Sequence, residues 1–189
     1  MRLFAAVLPP EGVIRELASE VDELERLPAA EALRWTGRPG WHFTLAFYGE
    51  VDEEIVPDLS ERLARAAHRT DPFPVSLRGG GHFGGRALWV GVAGDLETMR
   101  LLADRAEAAA RKAGIPMGQH RPYHPHLTVA RSRGSAHFGA YVTALGDFEG
   151  QEWTVGELCL VRSRLPKSGV PGEQPRYEAV ARWTLGAAG

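Results

Sequence analysis

Two short runs in this chain carry the same functional groups at the same spacing. Trp41-His42-Phe43-Thr44-Leu45-Ala46-Phe47 and Pro125-His126-Leu127-Thr128-Val129-Ala130-Arg131 both read His-x-Thr-x followed by alanine. In an extended strand side chains alternate faces, so a His and a Thr two apart share one. Phe43, Leu45 and Phe47 are then expected to point into a core, as are Leu127 and Val129. Each run presents an imidazole and a hydroxyl on one wall of a cleft. A cleft lined by both runs can bind a phosphodiester and move protons on either side of it. Imidazole titrates near neutral pH, so one ring can work neutral and the other charged. The Thr44 and Thr128 hydroxyls can donate to non-bridging oxygens, where charge gathers in the transition state.

Competing chemistries have weaker support. His120, His124, His126 and His137 crowd one region, and His124 with His126 could ligate zinc from one strand face. No Cys or acidic residue joins them at metal spacing, and each motif His is paired with Thr rather than carboxylate. No metal and no cofactor are therefore expected. A Ser-His-Asp reading lacks a nucleophile elbow. His124 reads equally as an exposed loop residue ahead of Pro125 or as a substrate-side group. Arg131 lies on the face opposite His126 under strict alternation, and reaches the cleft only past the strand end or at a bulge. Its counterpart in the first run is Phe47, an asymmetry between two otherwise matching segments. Arg34, Arg38, Arg121 and Arg133 either guide phosphates or form a solvated surface. Trp35, Trp41, Phe83 and Tyr123 are candidates for stacking on a base, with a core role equally open for Trp41.

The elements that hold these groups follow from periodicity and breakers. Residues 2–8 read as a strand stopped by Pro9-Pro10. Val13, Leu17, Val21, Leu24 and Leu27 recur at helical spacing over 11–27, and residues 52–68 repeat the pattern. A short strand at 33–35 and a turn at 37–40 precede the first motif strand, 41–48. Strands are expected at 71–77 and 87–92, with the glycine-rich stretch 79–85 as the turn between them. Asp95 is a candidate N-cap for a helix that Gly114 and Pro116 end. A loop at 117–125 leads to the second motif strand, 126–130, and a short helix at 138–145. Residues 152–162 read as one long strand, 165–175 as a surface loop and 177–185 as the closing strand.

Short turns between several strands argue for α+β with antiparallel sheet rather than a doubly wound parallel sheet. The motif histidines lie 84 residues apart, close to half the chain, with a helix after each. This implies two antiparallel-sheet lobes with outer helices, related by a pseudo-two-fold around a central cleft, within one domain spanning 1–189. The 44% apolar content supports a sizeable core, and the formal charge of −2 is unhelpful for a protein that wraps nucleic acid electrostatically. Any RNA should then be recognised at an end. The single cysteine, Cys159, sits in an apolar run and reads as a small buried hydrophobe. No internal disulfide framework, signal h-region or transmembrane span is read, so the expectation is a cytoplasmic monomer away from membranes.

Beyond the motifs, the opening RLFAAV (2–7), WHFTLAFYG (41–49), HPHLTVAR (124–131), LCLVRSRL (158–165) and the closing RYEAVARW (176–183) resemble the 2H phosphoesterase superfamily. Within it the chain is most similar to the RNA 2′,3′-cyclic phosphodiesterase, or 2′-5′ RNA ligase, family. The resemblance implies the same bilobal architecture and a metal-independent opening of RNA 2′,3′-cyclic phosphate ends to a 2′-phosphate. It implies His42 as proton donor, His126 as proton acceptor, and Thr44, Thr128 and Arg131 as phosphate-binding groups. With a 5′-hydroxyl in place of water, the same site would form a 2′-5′ linkage. Two other expectations remain beside it: a phosphodiesterase for small cyclic nucleotides or ADP-ribose cyclic phosphate, and a non-catalytic RNA-end binder.

Overall fold

The apolar run after Arg2 forms β1 (Arg2–Val7), whose alternation serves two layers at once. Leu3, Ala5 and Val7 join the main core, while Phe4 and Ala6 pack with Cys159 and Val161 in a small cluster on the other face. The chain then forms α1 (Glu11–Leu24), β2 (Arg34–Trp35), β3 (Phe43–Glu50), α2 (Val56–Arg69), β4 (Phe73–Phe83) and β5 (Ala87–Gly94). It continues through α3 (Leu96–Lys112), β6 (Leu127–Arg131), α4 (Gly139–Leu145), β7 (Trp153–Val155), β8 (Glu157–Arg164) and β9 (Arg176–Thr184). This computed structural model describes residues 1–134, 136–170 and 173–187.

The strands assemble into two sheets, ordered β3-β1-β8-β9 and β2-β6-β5-β4-β7, with every pair antiparallel. The architecture is α+β, as expected. The first sheet takes strands from both ends of the sequence, and the second takes β2 from the first quarter. Helices α2 and α3 pack on the first sheet and on each other, and α4 packs on β4 and β5. No helix among the described residues is long and apolar enough to cross a membrane. Cys159 is buried, as read from its apolar run. Asp95 caps α3 by accepting from the Thr98 backbone N–H at 3.0 Å and from its hydroxyl at 2.7 Å, which satisfies an otherwise orphaned amide.

Several boundaries differ from expectation for physical reasons. The first helix stops at Leu24 rather than 27, because Pro28 disfavours α geometry in the residue before it and the chain tightens into a turn. Helix α2 starts at Val56, with Pro57 in its first turn where a missing N–H is harmless. The stretch 79–85 is not a turn throughout: β4 runs on to Phe83, with a bulge between Leu77 and Gly80 at which Gly79 takes φ +62°. The expected single strand 152–162 is two strands in different sheets, with β7 pairing β4 and β8 pairing β1 and β9 around Gly156.

The motif strands also break alternation. In β3, Ala5 pairs with Ala46 but Ala6 pairs with Thr44, leaving Leu45 as an extra residue. In β6, Leu88 pairs with Ala130 but Trp89 pairs with Thr128, leaving Val129 extra. These are β-bulges at the same position of both motifs. Leu45 and Ala46 are both buried, as are Val129 and Ala130, and the phase inverts beyond them. Phe47 therefore does not enter the core; it is 50% exposed, with the Arg2 guanidinium 4.8 Å from its ring centre.

Strand β4 leaves no room for side chains where it crosses β5. A Cβ at Gly80 would lie 2.7 Å from the Trp89 carbonyl oxygen and 2.5 Å from Leu145 Cδ1. Gly80→Ala should lower stability by about 1–3 kcal/mol, the usual scale of overpacking, as read from the midpoint of urea unfolding. An unchanged midpoint would mean that the β4–β5 crossing relaxes freely.

Candidate active site

The segment between β2 and β3 carries the chain from the second sheet to the first, and its end sets His42. Thr36 donates its amide to the Val129 carbonyl at 2.8 Å, fastening the start of the segment beside β6. Trp41 is buried and donates its indole N–H to the Thr36 carbonyl at 3.0 Å, closing the crossing. Gly40 fits because a Cβ there would meet Thr36 Cγ2 at 3.0 Å and the Tyr177 ring at 3.2 Å. The Gly40 carbonyl in turn accepts from His42 Nδ1 at 2.7 Å. On the other side, His126 Nδ1 donates to the His124 carbonyl at 2.8 Å.

These two bonds fix the tautomers. A carbonyl only accepts, so each imidazole carries its proton on Nδ1 and keeps Nε2 as the working nitrogen. His42 Nε2 is 2.9 Å from Thr44 Oγ1, whose hydroxyl donates to it while the ring is neutral. His42, Thr44, His126, Thr128 and Arg131 line one concavity of about 90 Å³ together with Thr36, Gly40 and Tyr177. The inverted phase after Val129 turns Arg131 into this cleft. All five residues singled out from the sequence thus meet in one place.

The surroundings of the rings set their charge. Burial holds the His42 imidazole below its ordinary value of 6.5, and Arg131 and His126 push the same way against the Gly40 hydrogen bond. Burial lowers His126 too, with His124 and Arg131 adding to it against the His124 carbonyl bond. Both rings are consequently neutral at pH 7 in the free protein. Arg131 acts on both, so its charge does not by itself separate an acid from a base.

Aromatic rings flank each histidine. Phe4 and Tyr177 lie 4.7 and 5.4 Å from His42 between ring centres, and Phe83 and Trp89 lie 4.8 and 6.1 Å from His126. Of the stacking candidates, only Phe83 stands beside a motif histidine with its ring exposed, at 42%. Trp35 is tied to the Ala30 carbonyl, and Trp41 belongs to the core. Tyr123 donates its hydroxyl to the Thr44 carbonyl at 2.8 Å, pinning the approach to the second motif onto the first motif strand. Arg34 stands across from Arg131 in the β2–β6 ladder, while Arg38, Arg121 and Arg133 lie outside the cleft lining. His124 packs against Trp89 at 5.0 Å. The four crowded histidines do not gather. His120 bonds Glu107 at 2.7 Å, and among the described residues the one set of three ligand-type side chains close together is Asp104, Glu107 and His120 on α3 and the loop after it. Tyr177, Phe4 and Gly40 are not legible as site residues in the sequence, since nothing in an alternating strand or a turn marks which residue abuts a distant imidazole.

Fold and cleft define an α+β protein of two antiparallel sheets whose paired His-x-Thr strands face one anion-sized cavity. The chain belongs to the 2′-5′ RNA ligase superfamily, whose family model matches residues 13–166. An RNA 2′,3′-cyclic phosphodiesterase of Aeropyrum pernix is 34% identical over 148 residues, 75% of this chain and 82% of that protein. Another, from Thermus thermophilus, is 32% identical over 196 aligned positions, covering 98% of this chain and 90% of the relative. The structure of E. coli LigT complexed with 3′-AMP superimposes with a TM-score of 0.77 at 26% identity, covering 97% of each chain.

If burial and Arg131 together keep both rings neutral, both should titrate below 6.5 when followed by NMR of the imidazole carbons. Arg131→Ala should raise both midpoints, because removing a cation favours the imidazolium. A shift confined to one ring would place the guanidinium against that histidine alone.

Proposed function

We propose that this protein opens RNA 2′,3′-cyclic phosphate ends to a 2′-phosphate without a metal ion, using His42 as acid and His126 as base. The observation that carries this reading is the pair of Nδ1-anchored imidazoles, with Nε2 left unprotonated, sharing one small cavity with two threonines and an arginine. The names of the relatives supply the substrate class and the resemblance supplies the direction.

The cyclic diester enters as a monoanion between Thr44, Thr128 and Arg131. Its charge opposes the effect of Arg131 and lifts the histidine pKa values, so binding helps His42 to take up the proton that it later gives away. Thr44 exchanges its bond to His42 for one to a non-bridging oxygen, and Thr128 donates from the other strand. His126 Nε2 takes a proton from water as the oxygen attacks phosphorus. The P–O3′ bond breaks opposite, and His42 protonates the departing O3′, leaving the phosphate on O2′. With a 5′-hydroxyl in place of water, the same transfers yield a 2′-5′ linkage.

An RNA with a 2′,3′-cyclic phosphate end should be converted to a 2′-phosphate, as mapped at the terminal nucleotide, with an equal rate in EDTA. A 3′-phosphate product would reverse the oxygen assignment, and loss on chelation with recovery on zinc would replace the histidine mechanism by a metal one.

The two roles separate by leaving group. An acid matters only when the departing oxygen is a poor leaving group, as a ribose alkoxide is. With a nitrophenyl phosphodiester substrate, His42→Ala should regain much of the rate it loses on RNA, while His126→Ala stays slow. Rescue of the His126 variant alone would exchange the roles and leave the reaction class intact.

A further inference from the structure

At the Arg2 end of the first sheet lies a second, larger concavity of about 550 Å³. Arg2, Arg162, Arg164, Lys167 and Arg176 line it, from β1, β8, β9 and the loop after β8, against the carboxylates of Glu50 and Glu173. That is an excess of positive charge in a chain whose formal net charge is −2. Among the described residues, Arg2, Arg162 and Arg176 make no ion pair, and Arg164 faces Glu178 only at 3.8 Å with both side chains more than half exposed. Ion pairs that loose contribute little to the fold, so holding the fold together does not account for the cluster.

The concavity approaches the site through Arg2. Arg2 covers the Phe47 ring, and Phe47 pairs with Phe4, itself 4.7 Å from His42. Burial raises the Tyr177 phenol, while Arg131 on one side and Arg2 on the other draw it down.

Resting on the proposed phosphodiesterase reading, we infer that this arginine-lined concavity receives the backbone phosphates of the RNA upstream of the cyclic end. The direction follows from the chemistry. His42 protonates the ribose oxygen, so the terminal ribose lies on the His42 side, over the first sheet, and water enters from the His126 side. The strand continues from that ribose through O5′ to the next phosphate. It then leaves over Phe4 and Phe47, toward Arg2 and the concavity that Arg2 lines. A mononucleotide would leave the concavity unused; an oligonucleotide would fill it with anions that three unpaired guanidiniums can hydrogen-bond.

The test compares adenosine 2′,3′-cyclic phosphate with a pentaribonucleotide ending in the same group, at several salt concentrations. For the wild type, kcat/KM on the pentanucleotide should exceed that on the mononucleotide and fall more steeply with salt. Replacing Arg162 and Arg176 by Ala should remove that advantage and flatten the log–log salt slope by roughly 0.7 for each phosphate no longer neutralised, with mononucleotide opening unchanged. Arg162→Lys with Arg176→Lys should keep most of the slope. Equal salt slopes for the two substrates, or an equal loss on both, would overturn the inference. Mononucleotide opening tests the phosphodiesterase reading separately. Should neither substrate be opened, fluorescence anisotropy of a labelled pentanucleotide bearing a 2′-phosphate still decides: retained binding by the alanine variant overturns the phosphate track.

Discussion

One extra residue directly after each motif threonine governs what the cleft contains. A strand that kept its period of two would put Thr44 and Ala46 on the same face, and likewise Thr128 and Ala130. Residues 47 and 131 would then be buried on the core side. The bulges at Leu45 and Val129 invert this after the threonines: alanine enters the core and the next residue enters the cleft side. A charged guanidinium cannot be sunk among Leu127, Val129 and their neighbours without a partner, since isolated buried charge carries a large desolvation cost. The bulge gives Arg131 an exit and the cleft its only cation among the described lining residues. The same device in the first motif delivers Phe47, so one backbone irregularity used twice yields a cleft cation from the second sheet and an aromatic shelf under Arg2 from the first.

Both halves must also be held in register with each other if the proposed proton transfers are to occur on opposite sides of one phosphorus, since such steps tolerate little misplacement. Few bonds do this directly. Tyr123 reaches from the loop before β6 to the Thr44 carbonyl, and Thr36 reaches from the crossing segment to Val129. Each bond ends within two residues of a motif group, so each ties one half of the site to the motif backbone of the other. Around them the core is continuous, with Phe43, Leu127 and Val129 in a single buried cluster shared by both sheets. The imidazoles themselves are fixed locally, each by a carbonyl two residues earlier. Orientation is therefore local and placement is tertiary.

That division explains what is legible in the sequence. The His-x-Thr pairs, the helices and the antiparallel character follow from short-range pattern and can be read directly. The departures leave marks as well. In both motif strands two consecutive apolar residues, Leu45-Ala46 and Val129-Ala130, interrupt the alternation, which is what a bulge requires. Likewise Trp153 and Val155 occupy odd positions whereas Leu158 and Leu160 occupy even ones, a phase jump at Gly156 where the chain changes sheets. Reading 152–162 as one strand overlooks that jump. The glycines at 79–81 have the composition of a turn, but Gly80 is small because it abuts Trp89 and Leu145, a tertiary reason without local signature. Tyr177 is invisible for the same cause: its place beside His42 depends on β9 joining β8, far from the first motif in sequence.

The arrangement also bears on why a nearly symmetric cleft would give an asymmetric product. Two imidazoles with the same tautomer, both neutral when free, could each serve as acid or base, and Arg131 depresses both. What differs is the surface around each ring. The His42 side has Phe4 and Tyr177, with Phe47 and Arg2 beyond them on the first sheet; the His126 side has Phe83 and Trp89. A polyanionic strand is steered to the side with unpaired cations. On the proposed mechanism, the histidine on that side meets the ribose and is the one that protonates the leaving oxygen. On this argument the acid and base roles are set by where the rest of the RNA is held, and only secondarily by the pKa values of the rings.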